Sequence, residues 1–239
     1  MSLEYEKENP YQTPDTVTPD LGLESQDSLP DEFKPFQTIW FHPRRTIRQL
    51  IATNPNYHVY TLVCIEGIGQ YLDRASANNS GDTISMLAIL MIALVFGPIG
   101  GLFSLFFGSV LIRWAGKLQG GQATFQEIRT AMAWGAVPAV VSILIWGPDL
   151  LLFGSEMFTE LTPRMDAQPS LWTIFFAFRA VEISLGVWSL FLICNTLAEV
   201  QGFRSAWRGF FNLILAGMIV LVPIILVAFV LLSMMPFAA

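Results

Sequence analysis

Three ionisable residues sit inside otherwise apolar stretches of this chain: Glu66, Arg179 and Glu182. A charge in such surroundings costs on the order of a few kcal/mol unless something neutralises it. Glu182 follows Arg179 by three residues, which puts both on one face of a helix within pairing distance. Glu66 offers Arg179 a second partner on another helix. Such a cluster can pin two helices together, or it can line a polar path for ions, protons or a small solute. The three therefore form the candidate intramembrane polar cluster. Ahead of the first apolar stretch lie Arg44, Arg45 and Arg48. Arginines so placed are candidates for binding anionic lipid headgroups, at about 1 kcal/mol each.

Catalytic constellations are not visible. The chain has no His-Glu-x-x-His, no Gly-x-Ser-x-Gly and no paired aspartates within its apolar stretches, so it is not read as an enzyme and no cofactor is expected. His42 and His58 lack a Cys or Asp at ligand spacing, and no metal site is expected of them. Gly120-Gly121 lacks the following Lys-Ser or Lys-Thr of a phosphate-binding loop. It reads instead as a helix terminator, with Thr124 and Glu127 at capping-box spacing to start the next helix. Cys64 and Cys194 fall in apolar stretches and read as small buried side chains.

The elements that must hold these residues are helices of membrane length. The chain is 53% hydrophobic and 13% charged, against about 25% charged in soluble domains. A span needs about 20 mostly apolar residues. The segments 57–73, 84–113, 131–153, 171–197 and 208–235 are the candidates, the first being short and carrying Glu66 and Gln70. The expected fold is an all-α, polytopic membrane helix bundle with five transmembrane helices. Gly97-Pro98 falls in the middle of the second span, where a kink or local break is expected. Gly97-x-x-x-Gly101 and the surroundings of Gly186 suit close helix packing. Asp149, after Gly147-Pro148, is expected to face the wet outer interface.

Orientation follows from the basic residues. Lys34, Arg44, Arg45, Arg48, Arg113, Lys117, Arg129, Arg204 and Arg208 would lie on one side, and Arg74 and Arg164 on the other. That bias places the N-terminus in the cytoplasm and, with five spans, the C-terminus outside. Tyr57, Tyr60, Trp114, Trp134 and Trp207 would form the inner aromatic belt, and Tyr71, Trp146 and Trp172 the outer one. Trp188 is expected to be a packing residue deep in the fourth span. Pro43 suits the first turn of a helix over 43–53 whose Ile47, Leu50 and Ile51 share a face. This helix is expected to lie on the inner leaflet. Residues 1–33 hold nine acidic residues and one lysine, and they offer none of the features of a secretory signal. The segment 1–35 is expected to be a disordered acidic tail.

Trp40-Phe-x-Pro43-Arg44-x-Thr46-Ile47-Arg48 resembles the opening of the Yip1 domain family in its bacterial form. Gly120-Gly121, followed by Ala133-Trp134-x-x-x-Pro138, is similar to the same family. The resemblance covers about 36–235 and implies five spans with a cytoplasmic N-terminus. It also implies a role: eukaryotic members are membrane adaptors of the secretory pathway that associate with Rab-type small GTPases and with one another. This chain lacks the tyrosine- and glycine-rich core motifs of that branch in clear form, so the Rab partnership is not carried over.

The functional expectation is a non-catalytic membrane adaptor or membrane-organising factor of a bacterial inner membrane. Its partners would be the lipid bilayer, anionic headgroups at the cytoplasmic face and a protein bound through the N-terminal region. Nucleic acid is not expected, and homo- or hetero-oligomers are both compatible. The alternative is a small channel or transporter centred on Glu66, Arg179 and Glu182.

Overall fold

The computed structural model describes residues 33–234, and side chains as far as residue 228. Of the expected acidic tail 1–35, residues 1–32 lie outside the described residues. The described chain is helical, without a strand. Its elements are Pro35–Thr38 (α1), Pro43–Thr53 (α2), Val59–Ala77 (α3), Met86–Leu118 (α4), Phe125–Gly135 (α5), Val137–Leu152 (α6), Pro163–Ala167 (α7), Pro169–Val200 (α8) and Ala206–Met234 (α9).

Local chemistry sets the helix ends. Ser85 starts α4 by accepting the Ala88 N–H at 3.3 Å. Thr124 and Glu127 form a capping box at the start of α5. Proline opens α1, α2, α7 and α8, where its missing N–H costs nothing. Both α4 and α8 end in the same way. Gly120 (φ 81°) and Gly202 (φ 73°) take the left-handed conformation. Gly121 N–H then returns to the Gly116 carbonyl, and Phe203 N–H to the Ala198 carbonyl, each at 2.7 Å.

Among the described residues three helices are long and apolar enough to cross a membrane: α4, α8 and the first 23 residues of α9. The pair α5–α6, bent by 40°, would be a fourth. The expected first span corresponds to α3, which carries Glu66, Asp73 and Arg74 within 19 residues and is not among these helices. Of the kink or local break expected at Gly97-Pro98, the break does not occur: Pro98 lies inside a continuous helix. The break falls instead at Ala136, between α5 and α6, two residues ahead of Pro138. Pro138 has no N–H to continue the ladder, and α8 holds the helix beside the bend. Ser189 donates to the Gly135 carbonyl at 3.2 Å and Thr196 to the Ala131 carbonyl at 2.9 Å.

Helix α3 lies against α4 with backbone nearly touching backbone. A Cβ on Gly101 would fall 3.1 Å from the Gly67 Cα and closer still to the Val63 carbonyl oxygen, and one on Gly97 would fall 2.7 Å from the Ile68 Cα. The core divides into two groups. One joins Ile39, Ile47 and Leu50 to Leu62, Leu105, Ile128 and Trp134 at the end where α2 packs. The other, at the opposite end, joins Leu72, Ile89 and Trp146 to Phe153, Phe158 and Met165. Its last members belong to residues 153–167, which fold over the bundle as a cap. Ser76 donates to the Met157 carbonyl there at 2.6 Å, and Glu156 accepts the Arg164 and Met165 N–H groups at 2.8 and 3.0 Å.

Two tryptophans expected in the aromatic belts are core residues: Trp134 is fully buried and Trp146 nearly so. Trp188, expected to pack internally, is 39% exposed. Cys64 and Cys194 are free thiols. From the α3–α4 contact we expect Gly101→Ala to lower stability by about 1–3 kcal/mol. Gly100→Ala, which meets nothing within 4 Å, should leave it unchanged or slightly raised. Chemical denaturation in detergent micelles reads both.

Candidate functional site

The polar centre of the bundle is assembled by three helices at the capped end. Arg179 lies ten residues into α8, about 15 Å from its start at 1.5 Å per residue. Its guanidinium forms an ion pair with Asp149 of α6, and a second one at 2.5 Å with Glu182, one turn further along α8. Asp149 is fully buried. Asp73 of α3, beside Trp146, lies within electrostatic reach of both Arg179 and Glu182. The Phe175 and Trp146 rings flank the guanidinium with centroids 5.3 and 5.9 Å away, close enough for cation–π attraction. A cleft lined by Asp73, Ser76, Arg179 and Glu182 opens beside the cluster.

Three carboxylates thus face one guanidinium in weakly solvated surroundings. The pairs with Asp149 and Glu182 offset much of the desolvation of each ion. Some hydrogen-bonding capacity is left over. Asp149 Oδ1, Arg179 Nε and Glu182 Oε1 are buried without a partner among the described residues.

The expected pair between Glu66 and Arg179 does not form. Glu66 accepts a hydrogen bond from Gln70, one turn later on its own helix, at 3.1 Å. It borders a separate cavity of about 160 Å³ between α3, α4, α5 and α8, shared with Gln70, Ser104, Met132 and Ile193. Seven residues, about 10 Å along α3, separate it from Asp73, which takes the place near Arg179 expected for it. The expected cluster is therefore two sites: Arg179 and Glu182 with Asp149 and Asp73, and Glu66 with Gln70.

At the other end of the bundle, α2 runs beside the end of α8. Its buried face is Thr46, Ile47 and Leu50. The three candidate headgroup arginines separate there. Arg48 pairs with Glu199 at 2.6 Å. Arg44 donates to the Asn195 side-chain oxygen at 3.3 Å and to the Phe203 and Arg204 carbonyls at 3.4 Å. Arg45 is exposed and makes no hydrogen bond or ion pair with the described residues. Nearby, the nearly buried Gln201 ties together the turns that follow α4 and α8. Its carbonyl accepts from Gln122 N–H and its side-chain oxygen from Ala123 N–H, both at 3.4 Å. Any side chain on Gly116 or Gly121 would overlap it.

The match to a known family is extensive: a Yip1 domain model aligns with residues 37–232. The chain belongs to the Yip1 domain family. No curated protein and no solved structure matched it. Within this Yip1 domain, the Trp40–Arg48 segment forms the turn before α2 and its first half, and the Gly120-Gly121 pair forms the turn after α4.

Among the described residues no group of three or more His, Cys, Asp or Glu side chains is placed to hold a metal ion. Two residues of the capped-end cluster escaped sequence reasoning as partners, Asp149 and Asp73. The signal for Asp149 was its place in the last turn of an apolar helix, ahead of Phe153, Met157 and Phe158, a run apolar enough to fold back as a cover. For Asp73 it was the heptad spacing from Glu66, which puts both on one face of α3 at different depths. We expect Arg179→Leu to cost about 3–5 kcal/mol of stability by leaving Asp149 buried and unpaired. Adding Asp149→Leu and Glu182→Gln should recover most of that loss, whereas adding Glu66→Gln should not. Denaturation midpoints of the purified variants decide this, and a harmless single substitution would remove Arg179 from its role as counter-ion.

Proposed function

We propose that this Yip1 domain protein is a non-catalytic membrane adaptor or membrane-organising factor of a bacterial inner membrane. In this reading it spans the bilayer five times, α3 being the additional span, with its N-terminus in the cytoplasm. The observation that carries the reading is the docking of α2. The segment ahead of the first span is bound into the bundle by Ile47 and Leu50 and tied to α8 through Arg44 and Arg48. That arrangement sets a fixed surface at one end, bordered by Arg45, Arg113, Lys117 and Arg204, on which a partner or a leaflet can be held. Family membership supports it, since an adaptor role is what the Yip1 resemblance implies. Homo- and hetero-oligomers both remain compatible with it.

The competing reading is a small channel or transporter. It is favoured by the unfilled hydrogen-bonding capacity of Asp149, Arg179 and Glu182. Against it stands the separation of Glu66 from that cluster, with the Glu66 cavity bounded by Leu105, Met132 and Ile193.

Two measurements separate the readings. A proximity-labelling enzyme fused ahead of Met1 should mark a reproducible set of membrane neighbours, and this set should change when residues 1–32 are removed. Vesicles carrying the protein should pass ions and small solutes no faster than empty ones. Flux abolished by Glu182→Gln would replace the adaptor reading with the transporter. A reporter active only outside the cytoplasm, attached after Ala239, should give signal; silence would mean an even number of spans or the opposite orientation.

A further inference from the structure

The division of labour among the three α2 arginines leaves a site on the outer face of that helix. Arg44 and Arg48 are engaged by the protein, whereas Arg45 lines a cavity of about 350 Å³ with His42, Gln49, Thr38 and Thr53. His42, Arg45, Gln49 and Thr53 follow one another at spacings of three, four and four residues. They form one stripe along α2, away from the buried Ile47 and Leu50. The stripe is rich in donors: a guanidinium fork, an imidazole and a carboxamide, the Thr53 hydroxyl being already engaged with the Gln49 carbonyl at 2.8 Å. Among the described residues no carboxylate lines the cavity. Arg45 therefore has nothing in the described protein to neutralise it, in contrast to its neighbour Arg48. The α2 N-terminus adds the positive end of an 11-residue helix at the same place.

A planar fork with free donors, backed by further donors and no competing acid, suits a tetrahedral oxyanion rather than a metal or an amine. We propose that this cavity binds a phosphate group, with Arg45 as its principal donor and His42 and Gln49 as flanking donors. The phosphate is carried either by an anionic phospholipid headgroup or by a soluble phosphate. Both present the same chemistry to the stripe. The assignment rests on the geometry of α2 and stands or falls separately from the adaptor reading, which is judged by partners and flux.

The test uses the full chain in detergent. Retention of added phosphatidylglycerol is measured by native mass spectrometry, and binding of inorganic phosphate by titration calorimetry. Arg45→Gln should weaken binding of at least one probe about tenfold, the loss expected for a charge-assisted hydrogen bond. Gln49→Ala should weaken the same probe by less. Arg48→Gln removes an equal charge from the same helix but faces Glu199, and should leave binding close to wild type. This pattern with phosphatidylglycerol identifies the lipid as the source. The same pattern with inorganic phosphate alone identifies a soluble ligand. The site is overturned if neither probe binds the wild-type protein. It is equally overturned if Arg45→Gln binds like wild type, or if Arg48→Gln loses as much as Arg45→Gln, since that would be the mark of diffuse charge.

Discussion

Helix α3 can enter this bundle because Gly67, Gly97 and Gly101 let its backbone come against that of α4. In hydrocarbon there is little hydrophobic force between helices, so close packing and polar contacts must hold them together. Small residues maximise the first by removing the side chains that would keep two helices apart. The consequence for α3 is larger than for α4. It is the most polar of the long helices, carrying Glu66, Gln70, Asp73 and Arg74. Drawn in among α4, α5 and α6, it can turn Glu66 toward a cavity and Asp73 toward a counter-ion. The tolerance of those polar groups depends on the glycine contact beside them.

The same constraint explains why the cluster around Arg179 lies where it does. Residues 66 and 73 of α3 share a face, and the sequence cannot say which of them meets a cation on α8. That choice depends on the axial offset between two helices, which is fixed by contacts each makes with other elements. Here the offset brings Asp73 level with Arg179. It also brings Asp149 in from α6, because residues 153–167 cover that end and keep water from a carboxylate that would otherwise be wet.

Helical character, an arginine-bearing helix over 43–53 ahead of α3 and the capping box at Thr124 were legible because each rests on residues close together in the chain. That this helix docks into the bundle rather than lying on a leaflet was not legible, since its partners on α8 are 151 residues away. The Gly-Pro pair in α4 does not break the helix, for a physical reason. A proline removes one hydrogen bond, but a long apolar helix has nothing better to do with its backbone in a membrane than to continue. At Ala136 the chain can bend because α8 holds both sides of the bend, Ser189 and Thr196 donating to the Gly135 and Ala131 carbonyls. The aromatic belts failed at Trp134 and Trp146 for a related reason. An indole near a helix end satisfies its N–H from protein as well as from headgroups. Trp134 does so by donating to the Tyr57 carbonyl at 2.9 Å.

Helix α8 shows how orientation is held when apolar packing cannot specify it. Its exposed face, with Val181, Ile183, Val187 and Phe191, is uniform enough to accept lipid in any rotation. Its polar residues are not interchangeable. Arg179 meets Asp149 about a third of the way along, Ser189 meets a carbonyl of α5 further on, and Asn195, Thr196 and Glu199 meet arginines of α2 and a carbonyl of α5 near the far end. A shift of one residue would turn the helix by roughly 100° and break every one of these contacts together. The register of α8 is thus set at several depths by single polar atoms.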